Sequence, residues 1–197
     1  MSRLSSDRVG AGPPFLARSS FVAQALRFAH EAHAAVGVAH PLAVARLIED
    51  AGHDDQVVAA ALLHDVLEDT ATTASELRRA FGIRVARIVA LVTENPAIDD
   101  YALRKAALRS QATGGGGAAA AVFAADKLAS VRELLAAGAR PGARRLDHFD
   151  RSLRVLRQTH PELPFLDELE AGLEQLRGRN GSKRSRPSAT SSVTVTR

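Results

Sequence analysis

Residues 59–70 read AAALLHDVLEDT, an apolar run that ends abruptly in His64 and Asp65 and adds Glu68 and Asp69 within four more positions. No other stretch constrains the fold as much. A segment this apolar belongs in an interior, where carboxylates are costly unless they are paired or bound to a cation. Basic side chains are scarce nearby, so a divalent metal is the economical partner. Read as one helix from about 56 to 68, the segment gathers all four ionisable residues on one arc. His64 and Asp65 then reach a single ion only by converging from neighbouring positions. Two ligands do not complete a site, which needs four to six donors, so other segments must supply the rest.

Helical signals run through the whole chain. Ala and Leu abound, Val and Thr are sparse before the C-terminal tail, and no alternating stretch of strand length occurs. Ser19 or Ser20 caps a first helix expected to run to about 35, and Pro41 suits the first turn of a second that Gly52 closes. Asp54 or Asp55 caps the helix that carries AAALL. Thr73 and Glu76 form a capping-box pattern opening a short helix that ends at Gly82, with another from 83 to 93. Asp99 or Asp100 opens a helix that the four glycines at 114–117 terminate, and further helices follow over about 118–137, 144–159 and 165–177. The expected fold class is all-α, one domain over residues 19–177 between a flexible N-terminus (1–18) and a basic disordered tail (178–197).

Charge confines the partners. The net charge is +4, yet Arg179, Lys183, Arg184, Arg186 and Arg197 lie in a tail without a single acid and outweigh that excess alone. The basicity thus marks a solvated tail rather than a nucleic-acid surface, and one Tyr and no Trp leave few stacking platforms for bases. No window is long and apolar enough to span a membrane, and the absence of cysteine excludes disulfides and thiolate metal sites. A cytoplasmic protein is the expectation.

Two residues can complete the set begun by His64 and Asp65. His40 stands with Pro41 at a loop-to-helix junction, and Asp126 is a lone acid in the apolar run AVFAADKLASV. Two imidazoles and two carboxylates from three segments suit an octahedral ion such as Mn²⁺ or Fe²⁺. His30 and His33 face along the first helix and read as structural.

The order HP (40–41), ALLHDVLEDT (61–70), VTEN (92–95) and ADKLASVREL (125–134) resembles the HD superfamily of metal-dependent phosphohydrolases. More narrowly it is similar to the hydrolase domain of RelA/SpoT proteins and the small alarmone hydrolases, metazoan SpoT homologues included. The resemblance implies an HD-type helical bundle in which His40, His64, Asp65 and Asp126 bind one Mn²⁺. It implies that Glu68 and Asp69 orient or deprotonate the attacking water. The implied substrate is a phosphorylated nucleotide, (p)ppGpp, which loses its 3′-pyrophosphate to give GDP or GTP. Arg104, Lys105, Lys127, Ser130 and Arg132 occupy substrate-side positions of the pattern. Departures fall on that side only: AAVGVA, between His33 and His40, has none of the basic residues usual there, and Ser130 replaces an asparagine. NADPH or another nucleotide is therefore the alternative substrate, and a catalytically weak nucleotide- or partner-binding domain the alternative class.

Overall fold

The computed structural model describes residues 19–33 and 37–181, and the expected flexible N-terminus and most of the basic tail lie outside them. Nine helices and no strand occur among the described residues: α1 (Ser20–Ala32), α2 (Ala39–Asp50), α3 (Asp55–Leu62), α4 (Val66–Asp69), α5 (Ala74–Val92), α6 (Tyr101–Gly114), α7 (Gly117–Ala136), α8 (Ala143–Thr159) and α9 (Leu166–Gly181). The all-α expectation holds.

Local chemistry sets the helix starts. Ser19 accepts from the Val22 N–H, Asp54 from those of Gln56 and Val57, and Asp100 from that of Leu103. Thr73 and Glu76 make the full reciprocal capping box. Each cap satisfies backbone donors that a helix start otherwise leaves without partners.

The core is organised on α3. Residues 57–63 are at most 3 % exposed, because α1, α2, α5 and α7 enclose this short helix. Its three alanines let those neighbours approach closely. The long α7 is the second buried axis, with residues 119–125 and then Leu128, Ala129 and Val131 in the interior. Helices α8 and α9 cover its far side with Phe149, Leu156, Leu169, Leu173 and Leu176. At Gly172 of α9 an added Cβ would meet Val131 Cγ1 of α7 at 2.6 Å, so glycine sets that closest approach.

One expected element is built differently. The single helix over 56–68 is interrupted by a turn at 63–65, where Leu63 (φ −106°, ψ 3°) leaves helical geometry. The wheel that placed four ionisable groups on one arc therefore does not apply. The expected stop at Gly82 holds: two helical stretches, 74–81 and 83–92, meet there directly. Gly82 breaks α5 into these two stretches, at φ 85° and ψ 170°, a conformation open essentially to glycine alone. Its Cβ would meet nothing, so the restriction comes from the backbone. Gly82→Ala is expected to destabilise the fold by about 1–3 kcal/mol in chemical denaturation; unchanged stability contradicts this account of the kink.

Candidate metal centre

The break at 63–65 makes the site. Leu63 N–H is shared between the carbonyls of Ala59 and Ala60, and the chain re-enters helix through Val66 N–H to the Leu63 carbonyl. Between them His64 folds back on the end of α3, and its Nδ1–H donates to the Ala61 carbonyl at 2.8 Å. That bond holds the ring with Nε2 turned towards Asp65. Nε2 is buried, has no hydrogen-bond partner among the described residues, and lies 3.0 Å from Asp65 Oδ1. The nitrogen and the carboxylate oxygen form an ion pair close enough for both to reach one bound cation.

His40 enters from the first turn of α2. Its Nδ1 bonds Glu133 Oε1 at 2.8 Å, and its Nε2 faces Asp126 Oδ1 at 3.2 Å. The rings of His40 and His64 lie 5.4 Å apart, and ligand atoms of His40, His64 and Asp65 come within 4.8 Å of one another. Asp126, on the buried stretch of α7, joins them through His40. Its other oxygen is held by Lys127 at 2.5 Å, and Ser130 Oγ lies 3.4 Å from Oδ1. Three of the four residues expected as metal ligands, His40, His64 and Asp65, thus come within ligand distance of one another, and Asp126 adjoins them at His40. Two imidazole nitrogens and two carboxylates form a donor set that fits a divalent cation.

Electrostatics support the fit. Burial opposes a charge on His40, but hydrogen bonds and charge from Asp126 and Glu133 outweigh it and raise the imidazole to about 9. Burial likewise opposes protonation of His64, and Asp65 reverses that and raises it. Burial would lift Asp126, yet Lys127, His40 and His64 hold its carboxyl well below the usual range. Protons stand where a cation would stand, and for the same reason: concentrated negative charge.

Glu68 and Asp69 separate. Asp69 lines the cleft of about 270 Å³ that also exposes His40, Asp65 and Glu133. Glu68 turns to the loop after α5, where its Oε1 accepts the Glu94 N–H at 2.5 Å. Burial, then the charges of Glu94 and Asp65, push its carboxyl up despite that bond. Arg104 and Lys105 both grip Glu94, and Arg104 also donates to the carbonyls of Ile98 and Asp99. Lys127 is 7 % exposed, with its ammonium 4.8 Å from the Phe123 ring centroid. Arg132 makes a bidentate pair with Glu168 of α9. Of the five expected substrate-side residues, Lys127 and Ser130 thus meet Asp126, Arg104 and Lys105 meet Glu94, and Arg132 pairs away from both.

Sequence reasoning missed Glu94 and Glu133. Both sit inside quoted motifs, and Glu133 falls two turns after Asp126 on the same helix face, a spacing that could have found it. A larger cleft of about 400 Å³ opens between α6 and α8, lined by Lys105, Arg109, Arg144 and Arg151 and by Asp99, Asp100 and Asp147, the last paired with Arg151. In its wall Arg109 donates to Nδ1 of buried His148, which burial and the charges of Lys127, Lys105 and Arg109 push down to about 3.

A family model described as "HD domain" matches residues 19–144. The guanosine-3′,5′-bis(diphosphate) 3′-pyrophosphohydrolase MESH1 of Danio rerio is 45 % identical over 101 residues, 48 % of this chain and 53 % of that protein. Its Homo sapiens counterpart is 42 % identical over 97 residues, 48 % of this chain and 54 % of that one. The chain thus spans about half the length of these curated relatives. Among solved structures, a metazoan orthologue of SpoT that hydrolyses ppGpp superposes with a TM-score of 0.67 at 25 % identity, over 87 % of this chain and 99 % of that one. A Listeria monocytogenes protein gives 0.63 at 32 % identity, over 70 % and 92 %.

Two outcomes follow from this geometry. Removing the carboxylate behind His40 by Glu133→Ala is expected to weaken divalent-metal binding about 10–100-fold in a calorimetric titration; unchanged affinity contradicts that role. Below its raised value His40 keeps a proton that an arriving cation must displace. Metal affinity therefore climbs by about tenfold per pH unit between roughly pH 6 and 8, with about one proton released per ion. An affinity flat with pH contradicts the site.

Proposed function

The chain belongs to the HD domain family, and on that footing we propose that it is a Mn²⁺-dependent phosphohydrolase that removes pyrophosphate from the 3′ position of (p)ppGpp, giving GDP or GTP. One observation carries the reading: the buried Nε2 of His64 lies against Asp65 Oδ1, and ligand atoms of His40, His64 and Asp65 come within 4.8 Å of one another. The names of the curated relatives and the ppGpp hydrolysis of the metazoan SpoT orthologue supply the substrate class.

His40, His64, Asp65 and Asp126 would hold the ion, with Glu133 and Lys127 orienting His40 and Asp126 from behind. A divalent cation there supplies polarisation of the scissile phosphate and a lowered pKa for water. The remaining steps belong to side chains. Asp69, in the cleft with His40 and Asp65, takes a proton from the attacking water. Glu68, whose raised carboxyl holds its proton more readily, gives one to the leaving oxygen. Arg104 and Lys105 fix Glu94, and through its N–H they fix Glu68. Lys105 also lines the cleft between α6 and α8, which offers the phosphates the positive charge absent from the segment before His40.

Purified protein with Mn²⁺ is expected to convert ppGpp to GDP and pyrophosphate, resolved by ion-exchange chromatography. His64→Asn and Asp65→Asn are expected to abolish that conversion, and Glu68→Gln to lower kcat about 10²–10⁴-fold. No product, or product indifferent to His64 and Asp65, overturns the reading; turnover of NADPH in place of ppGpp moves the substrate. Replacing Arg144 and Arg151 together by alanine is expected to raise KM by about tenfold with kcat retained. An unchanged KM removes that cleft from substrate binding.

A further inference from the structure

His33, read from the sequence as structural, has a second unexplained nitrogen. It caps α1, and the Ala29 carbonyl accepts both its backbone N–H at 2.9 Å and its Nδ1–H at 3.1 Å. With Nδ1–H committed there, the neutral form of the ring carries its lone pair on Nε2. The residue is 5 % exposed, and Nε2 is buried with no hydrogen-bond partner among the described residues. Nothing about capping α1 requires this: any residue with a side-chain donor could reach the same carbonyl.

The Nε2 faces the cleft. His33 lines it together with His40, Asp65, Asp69 and Glu133, and Nε2 stands 4.0 Å from Asp69 Oδ2. Both atoms are acceptors, and 4.0 Å is too long for a direct hydrogen bond. It suits a bridge through a single water. With hydrogen bonds of about 2.8 Å, one water donating to both acceptors holds them about 4.5 Å apart at the tetrahedral angle and about 4 Å apart when that angle closes to roughly 90°.

We propose that His33 and Asp69 together cradle the nucleophilic water. The inference rests on the phosphohydrolase reading and adds His33 to its catalytic residues. One hydrogen is held by His33 Nε2, the other points to Asp69, and the oxygen lone pairs are left facing the substrate. As the new P–O bond forms, the O–H bond directed at Asp69 breaks and that proton passes to the carboxylate. The P–O bond to the leaving group breaks, and the leaving oxygen takes the proton from Glu68. The hydrogen on the His33 side stays on the oxygen that joins phosphorus, so His33 orients without being consumed. This explains why an imidazole rather than a simple cap closes α1: its two nitrogens do different work, one on the helix end and one on the water.

The test is a pair of variants. Asn in place of His33 puts an amide donor near the Nδ1 position, keeps the bond to Ala29 and removes the Nε2 acceptor. Gln puts an amide oxygen near the Nε2 position and restores it. His33→Asn is expected to lower kcat for ppGpp by about tenfold or more, with KM and bound metal within about twofold. His33→Gln is expected to recover most of the loss, while a thermal melt shows the folded fraction of each. A role confined to capping predicts the reverse order, with Asn tolerated and Gln impaired in stability rather than in kcat. An active wild type whose His33→Asn variant retains kcat overturns this inference alone. If that variant fails to fold, folded His33→Gln with a tenfold lower kcat overturns it and near-wild-type kcat upholds it. A wild type inert towards ppGpp and pppGpp overturns the phosphohydrolase reading, and this inference with it.

Discussion

The hydrogen bond from His64 Nδ1 to the Ala61 carbonyl is the contact on which the site depends. It closes the last turn of a helix buried on every side, and in doing so it breaks that helix. Had α3 continued, His64 and Asp65 would diverge by the ordinary helical step and could not meet at one atom. The break instead brings Nε2 to 3.0 Å from Asp65 while the flanking Leu62, Leu63 and Val66 stay fully buried. The apolar packing of α3 and the chemistry at its end are thus one device. Burial makes the unpartnered nitrogen costly, and a cation relieves the cost.

Two kinds of charge are kept apart around this point. On one side four acids, Asp65, Asp69, Asp126 and Glu133, crowd two imidazoles. On the other, Arg104 and Lys105 neutralise Glu94, and the cleft beyond gathers Arg109, Arg144 and Arg151. Glu68 lies on the seam, bonded to the backbone of Glu94 and pushed up by the acids around it. A polyphosphorylated substrate laid across such a seam would place one phosphate at the acidic, cation-holding end and others among the arginines.

Much of this was legible beforehand. The capping box at Thr73, the caps at Ser19, Asp54 and Asp100 and the extent of α7 follow from local side-chain chemistry, which sequence displays directly. The set His40, His64, Asp65 and Asp126 was legible because ionisable residues in apolar runs are rare enough to be noticed. The break at 63–65 was not, since AAALLHDVLEDT contains no glycine or proline and the interruption arises from a side chain bonding backwards onto its own helix. Glu133 and Glu94 were hidden among ordinary surface acids; only the packing of α7 against α2 and the turn after α5 gives them partners. His33 was read as structural, and one of its nitrogens does serve the helix; that the other lacks a hydrogen-bond partner among the described residues is visible only in three dimensions.

The central claim is that one divalent ion belongs between α2, the end of α3 and α7. Crystals of the protein soaked in Mn²⁺ and measured at the manganese absorption edge test it most directly. The account predicts a single anomalous peak about 2 Å from the Nε2 atoms of His40 and His64, with carboxylate oxygens of Asp65 and Asp126 completing the shell. A peak elsewhere, or none at saturating Mn²⁺ with His64 Nε2 still unpartnered, would contradict it.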